Sequence, residues 1–331
     1  MKRIVFLMWN LKKYGCNIQI FDYVRDLRNK GFSVEIYYIF RGLHSISDCG
    51  IPCESFLKLF LSGKSVDILV CSGFWPVAYL ALLFPVKRKI YYLQALDSSL
   101  HENVFLKFLA ETSYRLNFEK VVISDFLKQK LEAYSSCPIK VMPHGIDYAR
   151  FSSPGADLSN LKSRKLKVLS VLSGYHRIKG PDLLVNIVKE IKKRRSDISF
   201  TLVSFEKTSY SPIFDRFISD PASNELLEEY CRADLFLATS IQEGFFLPAL
   251  EAMACKVPVV MTDSGGVREY AKNGYNCLLA RDASEIIKKR LVEYVLHNQR
   301  LRKKLIENGF ATAKKFSFQK ASERWIRYLD N

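Results

Sequence analysis

Two glutamates, Glu243 and Glu251, are separated by the seven residues Gly-Phe-Phe-Leu-Pro-Ala-Leu. Pro248 suits the first turn of a helix, because its missing N–H would be unpaired there and its fixed φ is already helical. The spacing predicts a helix through Ala249, Leu250, Glu251, Ala252, Met253 and Ala254. The amides of Phe245, Phe246 and Leu247, just after Gly244, then leave a helix N-terminus. Unpaired donors and the helix dipole favour an anion such as phosphate at that point. Glu243 precedes this nest and Glu251 lies one turn inside the helix. Carboxylates accept hydrogen bonds, and paired hydroxyls of a sugar are natural donors to them. Taken alone, Glu251 could also complement the helix dipole, and Glu243 could be a solvated loop charge.

A second group is cationic. In Ser173-Gly-Tyr-His-Arg177-Ile-Lys179-Gly-Pro-Asp182 a strand ends and a helix opens near Pro181, so Lys179 and Arg177 can reach an anion beside the strand end. Without a neighbouring motif, two basic side chains before a helix are equally a solvated face. The five histidines, His44, His101, His144, His176 and His297, show no ligand spacing. No Asp-x-Asp occurs, so no metal site is predicted.

The elements that must position these groups alternate strand with helix, which predicts parallel sheets of the doubly wound α/β kind. First-half strands are expected near Ile4–Met8, Val34–Ile39, Ile68–Cys71, Lys89–Leu93, Val121–Ile123 and Ile139–Met142. The clearest helix is Asn17–Lys30, with Ile20, Phe21, Val24 and Leu27 on one face. Second-half strands are expected at Val168–Leu172, Phe200–Val203, Leu235–Ala238 and Val257–Met261. Helices follow near Glu285–His297, Leu301–Phe310 and Phe318–Leu329. The polar stretch Ser152–Lys165 reads as a linker. The division is therefore a domain over residues 1–150, a linker over 151–165, a second domain over 166–315 and a terminal helix over 316–331.

The chain of 331 residues is 48% hydrophobic and 25% charged, an ordinary globular composition long enough for two domains. Its net charge of +16 divides as +7 over residues 1–150 and +9 over 151–331. An excess shared by both halves suits anionic surroundings in general, and no basic-aromatic motif points to nucleic acid. The eight scattered cysteines read as reduced thiols of a cytoplasmic protein. The apolar N-terminus is too short for a signal peptide and reads as a buried strand. Ile68 to Val86 carries no charge for 19 residues, but Ser72-Gly73 and Pro76 interrupt it. It is expected as a strand, a loop and a short buried helix over Ala78–Phe84, not as a membrane span. Phe56–Leu61, with Lys58, Lys64 and Arg41, reads either as an interfacial patch for an anionic membrane or as a buried helix with snorkelling lysines.

Together Glu243-Gly-Phe-x-Leu-Pro, Leu250-Glu251-Ala-Met-Ala, Pro258-Val-Val, Gly265-Gly266 with Glu269, and Asn273-Gly274 with Asn276 resemble the Glu-x7-Glu signature of the retaining glycosyltransferases of family 4, also called group 1. Val141–Asp147 with Phe151 and Ala233–Ser240 extend the likeness along the chain. The resemblance implies a GT-B fold: two Rossmann-like doubly wound domains facing a central cleft, the first binding the acceptor and the second the nucleotide sugar, with the last helix packing back on the first. In that family the first glutamate holds donor-sugar hydroxyls and the second holds the nucleotide ribose, roles that fall on Glu243 and Glu251. A departing nucleoside diphosphate develops negative charge, and Lys179, with Arg177, would neutralise it in place of a metal. Gly244 and the amides of Phe245, Phe246 and Leu247 would also contact the donor.

The implied activity is transfer of a hexose-type sugar, with retention, from a nucleotide-diphosphate sugar to a hydroxyl of a glycan or lipid-linked acceptor. Surface polysaccharide or lipopolysaccharide synthesis, at the inner face of the cytoplasmic membrane, is the expected setting. The donor is a substrate, and no cofactor is expected. The sequence departs from the family at four places. The usual Arg five residues before Lys-Gly is Gly174, with Arg177 as the available substitute. The strand over Thr201–Glu206 has no following glycine turn. The loop after the first strand, Lys12 to Asn17, has the single glycine Gly15. Gln94 stands where a His is frequent; it can hydrogen-bond a donor but cannot move a proton, and nearby Asp97 could orient or deprotonate the acceptor. These departures leave two alternatives: a non-catalytic nucleotide-sugar-binding scaffold, or a nucleotide-sugar epimerase of the same fold.

Overall fold

The computed structural model describes residues 2–12, 15–41, 51–152, 165–172, 177–205 and 208–330. Strands apolar on both faces can be buried only between layers of helices, the arrangement of parallel α/β sheets. The chain divides into two such units, Met1–His144 with Ala321–Asn331, and Gly145–Lys320.

The first unit runs β1 (Arg3–Asn10), α1 (Gly15–Asn29), β2 (Ser33–Phe40), β3 (Cys53–Ser55), α2 (Phe56–Leu61) and β4 (Ile68–Ser72). It continues through α3 (Trp75–Leu80), β5 (Arg88–Leu93), α4 (Val104–Ser113), β6 (Glu119–Val122), α5 (Asp125–Leu131) and β7 (Ile139–Val141). Its seven strands are parallel in the order β3-β2-β1-β4-β5-β6-β7. Ile4 of β1 lies opposite Val34 on one side and Ile68 on the other. Ile20, Phe21, Val24 and Leu27 are all buried on the inner face of α1, as their spacing predicts.

The second unit holds α6 (Tyr148–Phe151), β8 (Leu166–Leu172), α7 (Pro181–Lys192), β9 (Ile198–Ser204), β10 (Arg216–Ser219), α8 (Ser223–Arg232) and β11 (Leu235–Ala238). Then come α9 (Leu247–Ala254), β12 (Val259–Thr262), β13 (Leu278–Ala280), α10 (Ala283–Lys288), α11 (Leu291–His297) and α12 (Gln299–Lys315). Six parallel strands follow the order β10-β9-β8-β11-β12-β13. The final helix, α13 (Phe318–Asp330), begins here and passes to the first unit at Ala321. There Trp325 packs on Phe6, Tyr23 and Tyr92.

Several boundaries differ from expectation. The first unit closes at His144, so α6 belongs to the second, where Phe151 meets Tyr230 and Tyr148 meets Phe310. Most of the expected linker, residues 153–164, lies outside the described residues. The helix expected over Ala78–Phe84 starts earlier, as α3, and ends in a 3₁₀ turn over Ala81–Leu83 whose Leu82 and Leu83 are exposed. Arg290, at φ 48°, breaks the helix expected over Glu285–His297 into α10 and α11. The strands β3, β10 and β13 were not among those expected; all three stand at sheet edges. No helix among the described residues is long and apolar enough to cross a membrane.

Candidate functional site

In both sheets the strand order reverses beside the first strand, between β1 and β4 and between β8 and β11. Open α/β sheets take ligands at the carboxyl ends of the strands beside such a reversal. In the second unit, the segments following β8 and β11 supply Lys179 and Glu243.

Their meeting is built from backbone contacts. Thr239 Oγ1 donates to the Gly180 carbonyl at 2.9 Å, and the Ile241 and Gln242 amides donate to the Ile178 carbonyl at 2.7 and 3.3 Å. Gly180 has φ 62°, and a Cβ there would lie 2.1 Å from the Thr239 carbonyl oxygen. The residue must be glycine for the turn to sit so close. The 3₁₀ turn Arg177–Lys179 is thus pinned along the end of β11. Lys179 Nζ donates to both Glu243 oxygens, at 2.8 and 2.7 Å, with side-chain exposures of 17% and 8%. The ammonium carries three N–H groups, so a further one is available to a ligand.

Glu243 is held from the other side by β12 and the turn after it. Its amide donates to the Ser264 carbonyl at 2.9 Å, and its carbonyl accepts from the Gly266 amide at 3.1 Å. A Cβ on Gly266 would fall 2.2 Å from the Gly244 carbonyl oxygen. Pro248 enters the first turn of α9, as predicted. Phe246, just before that helix, takes φ 73°, a conformation that disfavours a residue with a Cβ. It is kept there by burial and by the Tyr270 hydroxyl, which donates to its carbonyl at 2.7 Å. The Phe245 ring is also buried, against Tyr270 and Phe316. These two residues can therefore offer a ligand backbone atoms, not rings.

Glu251 is half-buried on α9 and accepts from the Tyr230 hydroxyl at 2.8 Å. Burial pushes its carboxyl up to about 7, against the opposing pull of the Tyr230 hydrogen bond and the Arg150 charge. Ser264 Oγ is buried without a hydrogen-bond partner. Sequence reasoning missed Tyr230 and Ser264; Ser264 sits in the glycine turn that the motif includes, which is the signal that could have found it. Arg177 is exposed at the start of the 3₁₀ turn, and Gly174 and His176 lie outside the described residues.

The remaining candidates lie in the first unit. Gly15 opens α1 and is exposed, while Lys13 and Tyr14 are outside the described residues. Asn17 Nδ2 ties the end of the loop after β1, donating to the Asn10 carbonyl at 3.2 Å and the Lys12 carbonyl at 2.8 Å. Gln94 Nε2 donates to Ser72 Oγ at 3.1 Å, and its Oε1 is buried without a partner. Asp97 is buried, and the Trp75 amide donates to its carboxyl. Burial pushes that carboxyl up to about 8, against the opposing pull of the Trp75 amide at the start of α3, which favours the protonated form at neutral pH.

Residues 165–295 match the family model described as Glycosyl transferases group 1. A D-inositol 3-phosphate glycosyltransferase of Corynebacterium jeikeium is 30% identical over 221 residues, 58% of this chain and 52% of the relative. The lipopolysaccharide core biosynthesis mannosyltransferase LpsB of Rhizobium meliloti is 30% identical over 159 residues, 43% of this chain and 45% of the relative. The chain spans about half the length of the curated relatives it matches. Among solved structures, HepE of Anabaena, crystallised with UDP and glucose, superposes with a TM-score of 0.83 over 100% of both chains at 16% identity. The fold is therefore GT-B, built from two Rossmann-like, doubly wound units. Over residues 165–295, within its second unit, the chain is thus similar to the glycosyl transferases group 1.

Proposed function

We propose that this protein is a retaining hexosyltransferase that moves a sugar from a nucleotide-diphosphate donor to a hydroxyl of a glycan or lipid-linked acceptor. The observation that carries the reading is the Lys179–Glu243 pair beside the strand-order reversal of the second sheet, with the Gly244–Leu247 backbone and Glu251 following it. The UDP and glucose named with HepE and the mannosyl transfer named for LpsB support a nucleotide-sugar donor and a polysaccharide or lipopolysaccharide product.

In this reading Glu243 fixes the Lys179 ammonium and accepts from donor-sugar hydroxyls, while Glu251 accepts from the ribose. Lys179, with Arg177, neutralises the diphosphate without a metal. The bond from the anomeric carbon to the diphosphate breaks, and the acceptor oxygen bonds that carbon on the same face. The acceptor proton passes to the departing diphosphate. Gly15 would approach the donor from the loop after β1, and Gln94 would bond or orient the acceptor.

The exposed apolar residues of the first unit support a membrane-side acceptor. Leu57, Phe60 and Leu61 of α2, Leu82 and Leu83 of the 3₁₀ turn, and Phe105 and Phe108 of α4 are all solvent-exposed. Lys58, Lys64 and Lys107 accompany them, the combination that seats a protein on an anionic leaflet. In this reading the protein works on the cytoplasmic side of the inner membrane.

The test is incubation of purified protein with a panel of nucleotide sugars in EDTA, reading released nucleoside diphosphate. Hydrolysis of one donor that falls about a hundredfold in Glu243→Gln supports the reading. Thermal stabilisation by a donor that is never consumed would replace it with the scaffold reading.

A further inference from the structure

The carboxyl edge of the first sheet carries a group of rings that sugar transfer, as described above, leaves unused. Trp9 lies near the end of β1, Phe40 closes β2, Phe74 and Trp75 follow β4, and His101 lies beyond β5. Ring centroids are 4.8 Å apart for Trp9–Phe40, 5.3 Å for Trp9–Phe74 and 5.3 Å for Phe74–His101. Rings serving a core alone would be covered. Here Trp9, Phe74, Trp75 and His101 are half-buried, and Phe40 is 54% exposed.

Their place in the topology points to a ligand. β1 and β4 are the two strands between which the strand order of this sheet reverses, the position at which open parallel sheets bind. Gly73, at φ 106°, turns the chain after β4 so that a Cβ there would lie 3.4 Å from the Trp9 amide nitrogen. That turn brings Phe74 beside Trp9. Polar groups join the rings: Gln94, bonded to Ser72 at the end of β4, keeps a buried Oε1 without a partner. The Trp75 indole N–H donates to His101 Nε2 at 3.0 Å, which leaves the proton of the neutral imidazole on Nδ1 as a donor.

We infer that this cluster is a saccharide platform: Trp9 and Phe74, inclined to each other by 59°, form a corner in which a pyranose lays one face on one ring and its edge against the other, while its hydroxyls bond Gln94 and His101. The C–H groups on that face carry partial positive charge and match the negative face of an aromatic ring. The inference rests on the sugar-transfer reading and names its acceptor class: a glycan, held by a ring face, in preference to a simple alcohol.

Trp9 and Trp75 are two of the three tryptophans, and the third, Trp325, is 1% exposed, so indole emission reports on the platform. The full chain, without nucleotide, is titrated with methyl pyranosides of gluco, galacto and manno configuration. Saturable quenching by at least one is expected. Phe74→Leu, which keeps apolar volume and loses the ring, weakens that binding by about tenfold. Gln94→Ala keeps every ring and also weakens it, while Tyr294→Ala, on an exposed tyrosine of the second unit, leaves it unchanged. Circular dichroism and melting confirm that each variant folds. Absence of saturable quenching with every pyranoside, or wild-type affinity in both Phe74→Leu and Gln94→Ala, overturns the platform. Because no donor is present, failure of the platform is separate from failure of transfer, which is read by donor hydrolysis alone.

Discussion

Lys179 and Glu243 carry opposite charges where little water reaches, so removing either strands the other. A charge left unpaired in such a place costs about 3 kcal/mol, the low end for buried pairs because Lys179 keeps 17% exposure. Glu243→Ala and Lys179→Met are each expected to lower stability by that amount and to lose transfer. The double variant Lys179→Met with Glu243→Leu should recover most of the stability and none of the transfer. Denaturant unfolding beside donor hydrolysis checks both halves; restored turnover would remove the pair from the mechanism. Glu251 gives a pH dependence. Its carboxyl titrates near 4.5 in the unfolded chain and at about 7 in the folded one. Between those values the folded chain holds a proton that the unfolded chain lacks, so stability falls as pH rises through the window. Glu251→Gln should flatten that slope in melts taken from pH 4 to 8. Nucleotide affinity should rise as pH passes 7, because the ionised carboxylate is the better acceptor for ribose hydroxyls.

The elements that bring these charges together depend on two glycines. Gly180 and Gly266 hold the turn after β8 and the turn after β12 against the segment that leaves β11, with no room for a methyl group at either. Gly180→Ala adds a left-handed strain of about 1 kcal/mol to a backbone clash, and Gly266→Ala adds the clash alone. Gly274 is the internal comparison: its φ of 68° brings the same strain, but a Cβ there meets nothing within 4 Å. Gly274→Ala is expected to lower stability by about 1 kcal/mol and keep donor turnover. Gly180→Ala and Gly266→Ala should lower stability further and reduce turnover at least tenfold, because Glu243 moves with Gly244. Equal turnover in all three would show that the site tolerates displacement of these turns.

At the scale of the whole molecule, the proposed membrane contact rests on a net charge of +16 together with the exposed apolar residues of α2, α4 and the 3₁₀ turn between α3 and β5. Apolar side chains favour a bilayer through burial, and the positive field draws the chain to anionic headgroups. Vesicles containing phosphatidylglycerol should sediment the protein, neutral phosphatidylcholine vesicles should do so weakly, and salt should release it. Leu61→Glu with Phe105→Glu should abolish sedimentation without altering hydrolysis of a soluble donor. Binding that ignores both salt and these two substitutions would overturn the proposed contact.

The alternation of short apolar runs with amphipathic helices determined two parallel α/β units, and the run from Glu243 to Gly266 marked the strand end at which the candidate site lies. These were legible because a strand, a helix turn and a proline at its start are set by neighbours in sequence. The strands β3, β10 and β13 were not legible: all three stand at sheet edges, and Cys53–Ser55 and Arg216–Ser219 lack the apolar run that marked the equally short β11 and β12. Nor could spacing show that Lys179 bonds Glu243 across 64 residues, because that contact follows from β8 and β11 being neighbours. Burial decided the rest. It raised Glu251 toward neutrality, covered the rings of Phe245 and Phe246, enclosed Asp97, and left Trp9 and Phe74 half open at the edge of the first sheet. Solvent exposure depends on all the elements that pack around a residue, and only the folded chain assembles them.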